Sequence, residues 1–319
     1  MNKNILVTLA VSAIAYGTPL LLAGLGELLT ERSGVLNLGV EGMMLMGAVC
    51  GFTASQKMHG PTWLILVVAI IAAAVAGAVM ALIHAFLSIT VRVNQIVSGL
   101  ALTIFAGVIG LSSYLGSVWK VGGEHGLHQF RRINVFGLKN VPIIGPILFH
   151  NDAFVYLSWA LVIVVSWYLY RTRMGLYVRS VGESPDAADA MGINVTKYRY
   201  VHTIVGGAFA GIGGAYFTLA IAPIWTDGLT AGYGWIAIAL VIFAFWRPDL
   251  LVVGAYLFGV LSSLGFTLQA RGVHWPTEFF SALPYLMTIV ALVAASTGWA
   301  KRRLGTPAAL GRPYSREAA

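Results

Sequence analysis

The chain has 319 residues, of which 58% are apolar and 10% charged, against about 45–50% and about 25% in ordinary soluble proteins. So few charges cannot cover a water-facing surface of this size, so the apolar side chains face lipid and the chain is a polytopic membrane protein. Soluble enzymes, nucleic-acid binders and secreted disulfide scaffolds are thereby excluded. The net charge of 20 − 12 = +8 reports on inward-facing loops and the lipid surface rather than on a polyanionic ligand. A single cysteine, Cys50, cannot form an intrachain disulfide.

Lys3, an apolar stretch and Ala13-Ile14-Ala15 imitate a secretory signal peptide. The apolar run continues through Leu20-Leu21-Leu22 to Leu25, which marks a retained first span. About 20 apolar residues cross a bilayer, and on that ruler about nine segments follow: 5–26, 35–55, 63–90, 95–116, 153–170, 200–222, 233–246, 250–270 and 280–299. The expected fold is all-α: one transmembrane helix bundle over 1–319, with eight to ten spans. The second segment opens on a glycine-rich stretch, Gly34 to Gly42. The seventh is short and follows Gly228, Gly232 and Gly234.

Between the fourth and fifth segments, 117–152 carries Pro142, Gly145 and Pro146, which break any full span. A half-helix and a folded surface loop both fit there. Orientation follows lysine and arginine. The 171–199 loop holds Arg171, Arg173, Arg179, Lys197 and Arg199, and the tail at 300–319 holds Lys301, Arg302, Arg303, Arg312 and Arg316. Both should be cytoplasmic, with four spans between them, and five spans before the loop place the N-terminus outside. Lys120, Arg131, Arg132 and Lys139 in the loop thereby assigned to the outside run against this parity.

Reactive clusters are missing from the sequence. The seven histidines are scattered, and no HExxH, Ser/His pairing, paired carboxylates on one helix face or GxxxxGK[ST] is read. His125 and His128 read as solvated loop residues, and no metal site is expected. Only Glu41 and His84 sit well within apolar segments, too few for a proton relay. The pattern is that of a passive translocation subunit, not an enzyme, whose energy comes from elsewhere.

Within 171–199, Ser184 is a candidate N-cap, Pro185 suits the first helical position, and Asp186 and Asp189 suit the positive end of the helix dipole. Gly192 suits a left-handed stop. A two-turn helix with an Ala187/Ala188/Met191 surface results, either docked on its own bundle or presented to a partner. Asp-Ala-Ala-x-x-x-Gly at 186–192 resembles the Glu-Ala-Ala-x-x-x-Gly signature of ATP-binding-cassette importer permeases, with Asp in place of Glu. Thr-Glu-Arg-Ser-Gly-Val-Leu-Asn-Leu-Gly-Val-Glu-Gly-Met-Met-Leu at 30–45 is similar to the opening of branched-chain amino acid/ribose/nucleoside permeases. Val-Asn-Gln-Ile-Val-Ser-Gly-Leu-Ala-Leu-Thr at 93–103 resembles the nucleoside and simple-sugar branch.

The resemblance implies a subunit of a bacterial inner-membrane importer. Its partners would be a second similar permease, an ATPase that binds ATP and magnesium, and an extracytoplasmic binding protein; this chain would hold no cofactor. Ser184, Pro185, Asp186, Ala187, Ala188, Met191 and Gly192 would dock in a cleft of the ATPase. Nucleosides are the expected substrate, with simple sugars second and branched-chain amino acids third. An ATP-independent channel or facilitator is the rival from another class.

The stretches Gly34–Gly42 and Gly228–Gly234 are alike in plan, each followed by a long apolar helix, a polar connection (Arg92–Gln95 and Arg271–Glu278) and a further helix. Five spans separate the two starts, so the halves would be an inverted repeat whose broken helices lie near the midplane. The expected pathway runs beside Asn37, Glu41, Asn94, Gln95, Ser98, Tyr233 and Trp235, whose amides and rings suit sugar hydroxyls and nucleobases. Glu41 is expected either to meet substrate or to tie its helix to a neighbour through His84 or Arg92.

Overall fold

A computed structural model describes residues 3–107, 110–121, 128–270, 272, 275–296 and 305–315. His125, Arg271, Lys301, Arg302, Arg303 and Arg316 lie outside the described residues. The helices are α1 (Lys3–Arg32), α2 (Val40–Lys57), α3 (Thr62–Ala85), α4 (Gln95–Ala106), α5 (Leu111–Val118), α6 (Ile144–Leu148), α7 (Ala153–Arg171), α8 (Arg173–Glu183), α9 (Pro185–Ala190), α10 (Val195–Tyr216), α11 (Tyr233–Phe243), α12 (Pro248–Gln269) and α13 (Thr277–Ser296). Turns of π-helix, Phe86–Thr90 and Phe217–Ile221, prolong α3 and α10.

A helix stands at every apolar segment read from the sequence, and the chain is a multi-pass helical membrane protein. Among the described residues six stretches are long and apolar enough to cross a bilayer: Ile5–Arg32, Thr62–Thr90, Gln95–Val118, Ala153–Arg171, Val195–Ile221 and Pro248–Gln269. The helix α2 has 18 residues and α11 has 11.

Several boundaries differ from the sequence reading. The first helix does not stop at 26 but runs to Arg32, because Glu27, Thr30 and Glu31 are buried against protein rather than lipid. Hydropathy cannot register that kind of burial. The fourth segment is divided into α4 and α5 beside Gly107 and Gly110. The 171–199 loop holds α8 as well as the expected short helix, with Gly175, Val178, Val181 and Gly182 forming its buried face. Within 128–152 the chain is a folded loop. Strand β1 (Ile133–Asn134) pairs antiparallel with β2 (His150–Asn151), and the five-residue α6 packs on α1.

Packing centres on α1 and α10, which lie against each other. α1 also packs on α12, and α10 packs on α3 and α2. Lipid supplies no hydrophobic drive for helix association, so backbones approach closely at small residues. A methyl added to Gly47 of α2 would stand 2.2 Å from the Gly211 carbonyl oxygen of α10. At one end of the bundle, Arg32 Nη1 donates to the Gly305 carbonyl (3.1 Å) and the Ala309 amide donates to the Gly182 carbonyl (2.9 Å). The 171–199 loop and residues 305–315 therefore share one face with the end of α1.

Candidate functional site

Two interruptions in the helical structure bring the chain's polar groups into the bundle. The first is 33–39. Beyond Arg32 the chain reverses at Gly34, whose φ of +88° is the left-handed conformation that glycine adopts without a Cβ clash. It then runs back along α1, so that the Asn37 amide donates to Glu27 Oε1 at 3.2 Å. On its other flank the Leu36 amide donates to Gln95 Oε1 (2.7 Å). His84 Nε2 donates to the Leu36 carbonyl (3.1 Å), which can only accept, and His84 Nδ1 lies 3.1 Å from Ser98 Oγ. Thr103 Oγ1 donates to the Leu38 carbonyl (2.9 Å), and Asn37 Oδ1 accepts from the Gly39 amide (2.9 Å). Irregular backbone at membrane depth needs internal partners, and this segment takes them from three neighbouring helices.

The second interruption is 222–232, which ends in left-handed residues at Gly228 (φ +70°), Ala231 (φ +44°) and Gly232 (φ +85°). Glu41, in the first turn of α2, reaches across to it. Its Oε1 accepts from Thr230 Oγ1 (2.6 Å) and the Gly232 amide (2.9 Å), and its Oε2 accepts from the Gly234 amide (2.6 Å). Gly232 is the N-cap of α11, so a carboxylate on one helix caps the start of another. A negative charge is favourable beside both helix N-termini, and charge-assisted bonds are the strong ones. The two helices begin in direct contact: a methyl on Gly234 would stand 2.4 Å from the Glu41 backbone nitrogen.

The expected tie of Glu41 to His84 or Arg92 is thus corrected. His84 is taken up by Leu36 and Ser98, and Arg92 is exposed with φ +63°. Of the other expected pathway residues, Asn37, Gln95 and Ser98 are buried together around the first interruption. Tyr233 stands beside Glu41 at the junction and meets Phe217 edge-on at 4.8 Å. Asn94 is apart from these, exposed and capping α4 through the Ile96 and Val97 amides. Trp235 is 37% exposed.

Sequence reasoning found no paired carboxylates on one helix face, and the structure corrects this. Glu27 and Glu31, four residues apart on α1, are both 1% exposed. Glu31 accepts from the Trp246 indole, and Glu27 accepts from the Asn37 amide. Their i, i+4 spacing at the end of the apolar run was the available signal. Thr230, whose hydroxyl completes the Glu41 cap, carried none.

On the face shared with residues 305–315, Pro185 opens α9 and Ser184 precedes it. The Ser184 side chain makes no capping bond, contrary to expectation; its carbonyl instead accepts from the Ala188 amide (3.0 Å). Asp186, Ala187 and Met191 are exposed, Met191 by 81%, and Gly192 has φ +80°. Ala188 turns inward onto Val181 and Val195, so the expected three-residue surface is split between the outside and the bundle. A cavity of about 620 Å³ beside α9 is lined by Arg92, Asp189, Lys197 and Tyr200 among others.

Residues 9–292 match the family described as branched-chain amino acid transport system / permease component. The chain is 42% identical to a putative glucose ABC transporter permease of Haloferax volcanii, covering 96% of this chain and 97% of the relative. It is 34% identical to the guanosine ABC transporter permease of Bacillus subtilis, over 98% and 97% of the two chains. Identity to a nucleoside ABC transporter permease of Lactococcus lactis is also 34%, over 91% and 92%.

Proposed function

Since the chain belongs to the branched-chain amino acid transport permease family, we propose that it carries nucleosides inward as one permease of an ATP-driven importer. The observation that carries this reading is the meeting of α2 and α11 at Glu41. Short helices that begin inside a bundle place backbone groups and helix termini where a solute crosses. Packing supports an inverted repeat. α1 meets α12 as α10 meets α3, and α2 meets α3 and α4 as α11 meets α12 and α13. The single domain then has nine membrane segments, an outside N-terminus and a cytoplasmic C-terminus in a bacterial plasma membrane. Asn37, Glu41, Asn94, Gln95, Ser98, Tyr233 and Trp235 flank the pathway, directly or by holding the broken segments.

In this reading the element from Ser184 to Gly192 docks on the ATPase, which holds ATP and magnesium. The exposed Met191 and the open space around Gly192 leave that side free for a partner. A second, similar permease completes the channel, and a binding protein delivers substrate from outside. Proteoliposomes containing the assembled complex should accumulate guanosine only with ATP and the binding protein; undiminished concentrative uptake without the ATPase overturns the importer in favour of a facilitator. Simple sugars are the second reading, favoured by the 42% identity to the putative glucose permease. Competition of labelled guanosine uptake by unlabelled glucose separates the two. For the pathway, Trp235→Cys in a Cys50→Ala background should react with water-soluble thiol reagents and be protected by substrate, and the buried Asn37→Cys and Gln95→Cys should do so during ATP-driven turnover. No labelling at any of the three removes them from it.

A further inference from the structure

We propose that residues 305–315 form a strap that carries movement of α8 and α9 to the first interrupted segment and to the far end of α11, a role that rests on α9 docking on the ATPase. Within eleven residues the strap touches the end of α1, α8, α9 and α10. Gly305 O accepts from Arg32 Nη1 (3.1 Å), and the Ala308 amide donates to Glu183 Oε2 (3.3 Å). The Ala309 amide donates to Gly182 O (2.9 Å), and the Gly311 amide donates to Gly34 O (3.3 Å). Arg312 O accepts from Arg199 Nη1 (3.0 Å), and Tyr314 packs on the cluster of Val181, Ala188 and Val195. The strap therefore joins the docking helix, through Ala188, to the turn at which the first interruption begins, through Gly34.

Two buried guanidiniums pin it. Arg199 is 1% exposed, and among the described residues its Nε and Nη2 meet no acceptor. The strap carbonyl at Arg312 is the bond that its Nη1 makes. A buried charge without partners is costly, so the strap is held where Arg199 needs it. Arg32 donates from Nε (3.1 Å) and Nη2 (2.8 Å) to Trp246 O, in the turn that follows α11. The same residue thus links the strap to the helix that Glu41 caps. Gly34 sits at the crossing: a methyl there would stand 3.1 Å from Arg199 Nη2 and 3.5 Å from both Ala309 O and Gly182 Cα. Elements packed this closely shift as a unit, not independently.

The test uses the assembled complex in proteoliposomes, with Cys50→Ala and an exposed reporter, Ala190→Cys, carrying a photoactivatable cross-linker. Two strap variants are compared with this parent: Ala309→Trp, which wedges the 5% exposed Ala309 away from Gly182, and a chain ending at residue 304. Both should still cross-link to the ATPase, while uptake falls about tenfold, within the usual range of coupling between linked sites. Stimulation of ATP hydrolysis by the loaded binding protein should fall with it. Uptake and stimulation within about twofold of the parent in both variants would overturn the strap. So would loss of the cross-link in the variants alone, because the strap would then only shape the docking surface. Failure of the parent itself to cross-link removes the docking reading, and the strap's role with it.

Discussion

The two interrupted segments enter the bundle alike but are held differently. Segment 33–39 is tied on several sides, by Glu27 from α1, by His84 from α3, and by Gln95 and Thr103 from α4. Segment 222–232 is anchored by the buried Trp225, which packs on α2 and beside α5, but its polar ties are its own tight turns and Glu41, helped by the Tyr285 hydroxyl that donates to the Ala231 carbonyl. Many small ties make the first segment a fixed wall, since no single loss frees it. One carboxylate carrying three bonds makes the 230–234 end of the second a latch that a single event can loosen. Under the importer reading, a permease that opens to each side in turn would have its moving part at the end of 222–232 that Glu41 holds, which the variants below test.

The largest effects should come from the latch. Gly234→Ala places a methyl 2.4 Å from the nitrogen and 2.5 Å from the Cα of Glu41, so the starts of α2 and α11 must separate. Glu41→Ala leaves the Thr230 hydroxyl and the Gly232 and Gly234 amides without their acceptor, at about 1–3 kcal/mol for each group that stays buried. Both variants should lower the detergent melting temperature by several degrees and abolish uptake. Glu41→Gln keeps one acceptor oxygen and should fall between them and the parent. A Glu41→Ala protein with normal uptake would show that the latch is not needed.

A smaller effect is expected on the fixed side. Gln95→Leu removes the acceptor of the Leu36 amide, for about 1–3 kcal/mol, yet His84, Glu27 and Thr103 still hold the segment. Stability should drop while uptake per folded complex stays within about threefold, because coupling through the wall is shared. Uptake lost as completely as in Glu41→Ala would make the two segments equivalent. Thr230→Val, which takes one of three donors from Glu41, should then reduce uptake more than Gln95→Leu despite a similar loss of stability.

The broken helices were legible in the sequence because apolar runs mark lipid-facing helices and Gly34, Gly228, Gly232 and Gly234 mark where the backbone must turn or approach closely. What joins them was not. The partners of Glu41 lie about 190 residues away along the chain, a separation at which neither period nor spacing carries information. Glu27 and Glu31 were missed because a hydropathy ruler ends a span at its first charges, whereas helix neighbours rather than lipid bury these two. α8 was hidden for a related reason. Arg173 faces outward, Arg179 lies half-buried over the Tyr170 ring, and the glycines face inward, a pattern that reads as a loop until the strap and the end of α1 are in place. The short helix at 185–190 was found because its stop and start are chemical, but that Ala188 would point inward depended on Val181 and Val195, outside the motif.

The smallest expected effect tests whether the latch has a second hand. Tyr285 on α13 is 42% exposed and reaches the Ala231 carbonyl through its hydroxyl. Tyr285→Phe removes that bond and nothing else in shape. The net worth of such a bond is about 0.5–1.5 kcal/mol, and the lower end applies here because water can reach a carbonyl beside a half-exposed ring. Ala231, at φ +44°, would lose one restraint on a turn that the Gly228 carbonyl still closes through the Ala231 amide. Uptake should change by less than about twofold and the melting temperature by a degree or two. A loss as deep as that of Glu41→Ala would place the control of 222–232 on α13, and the carboxylate would then be a cap for α11 alone.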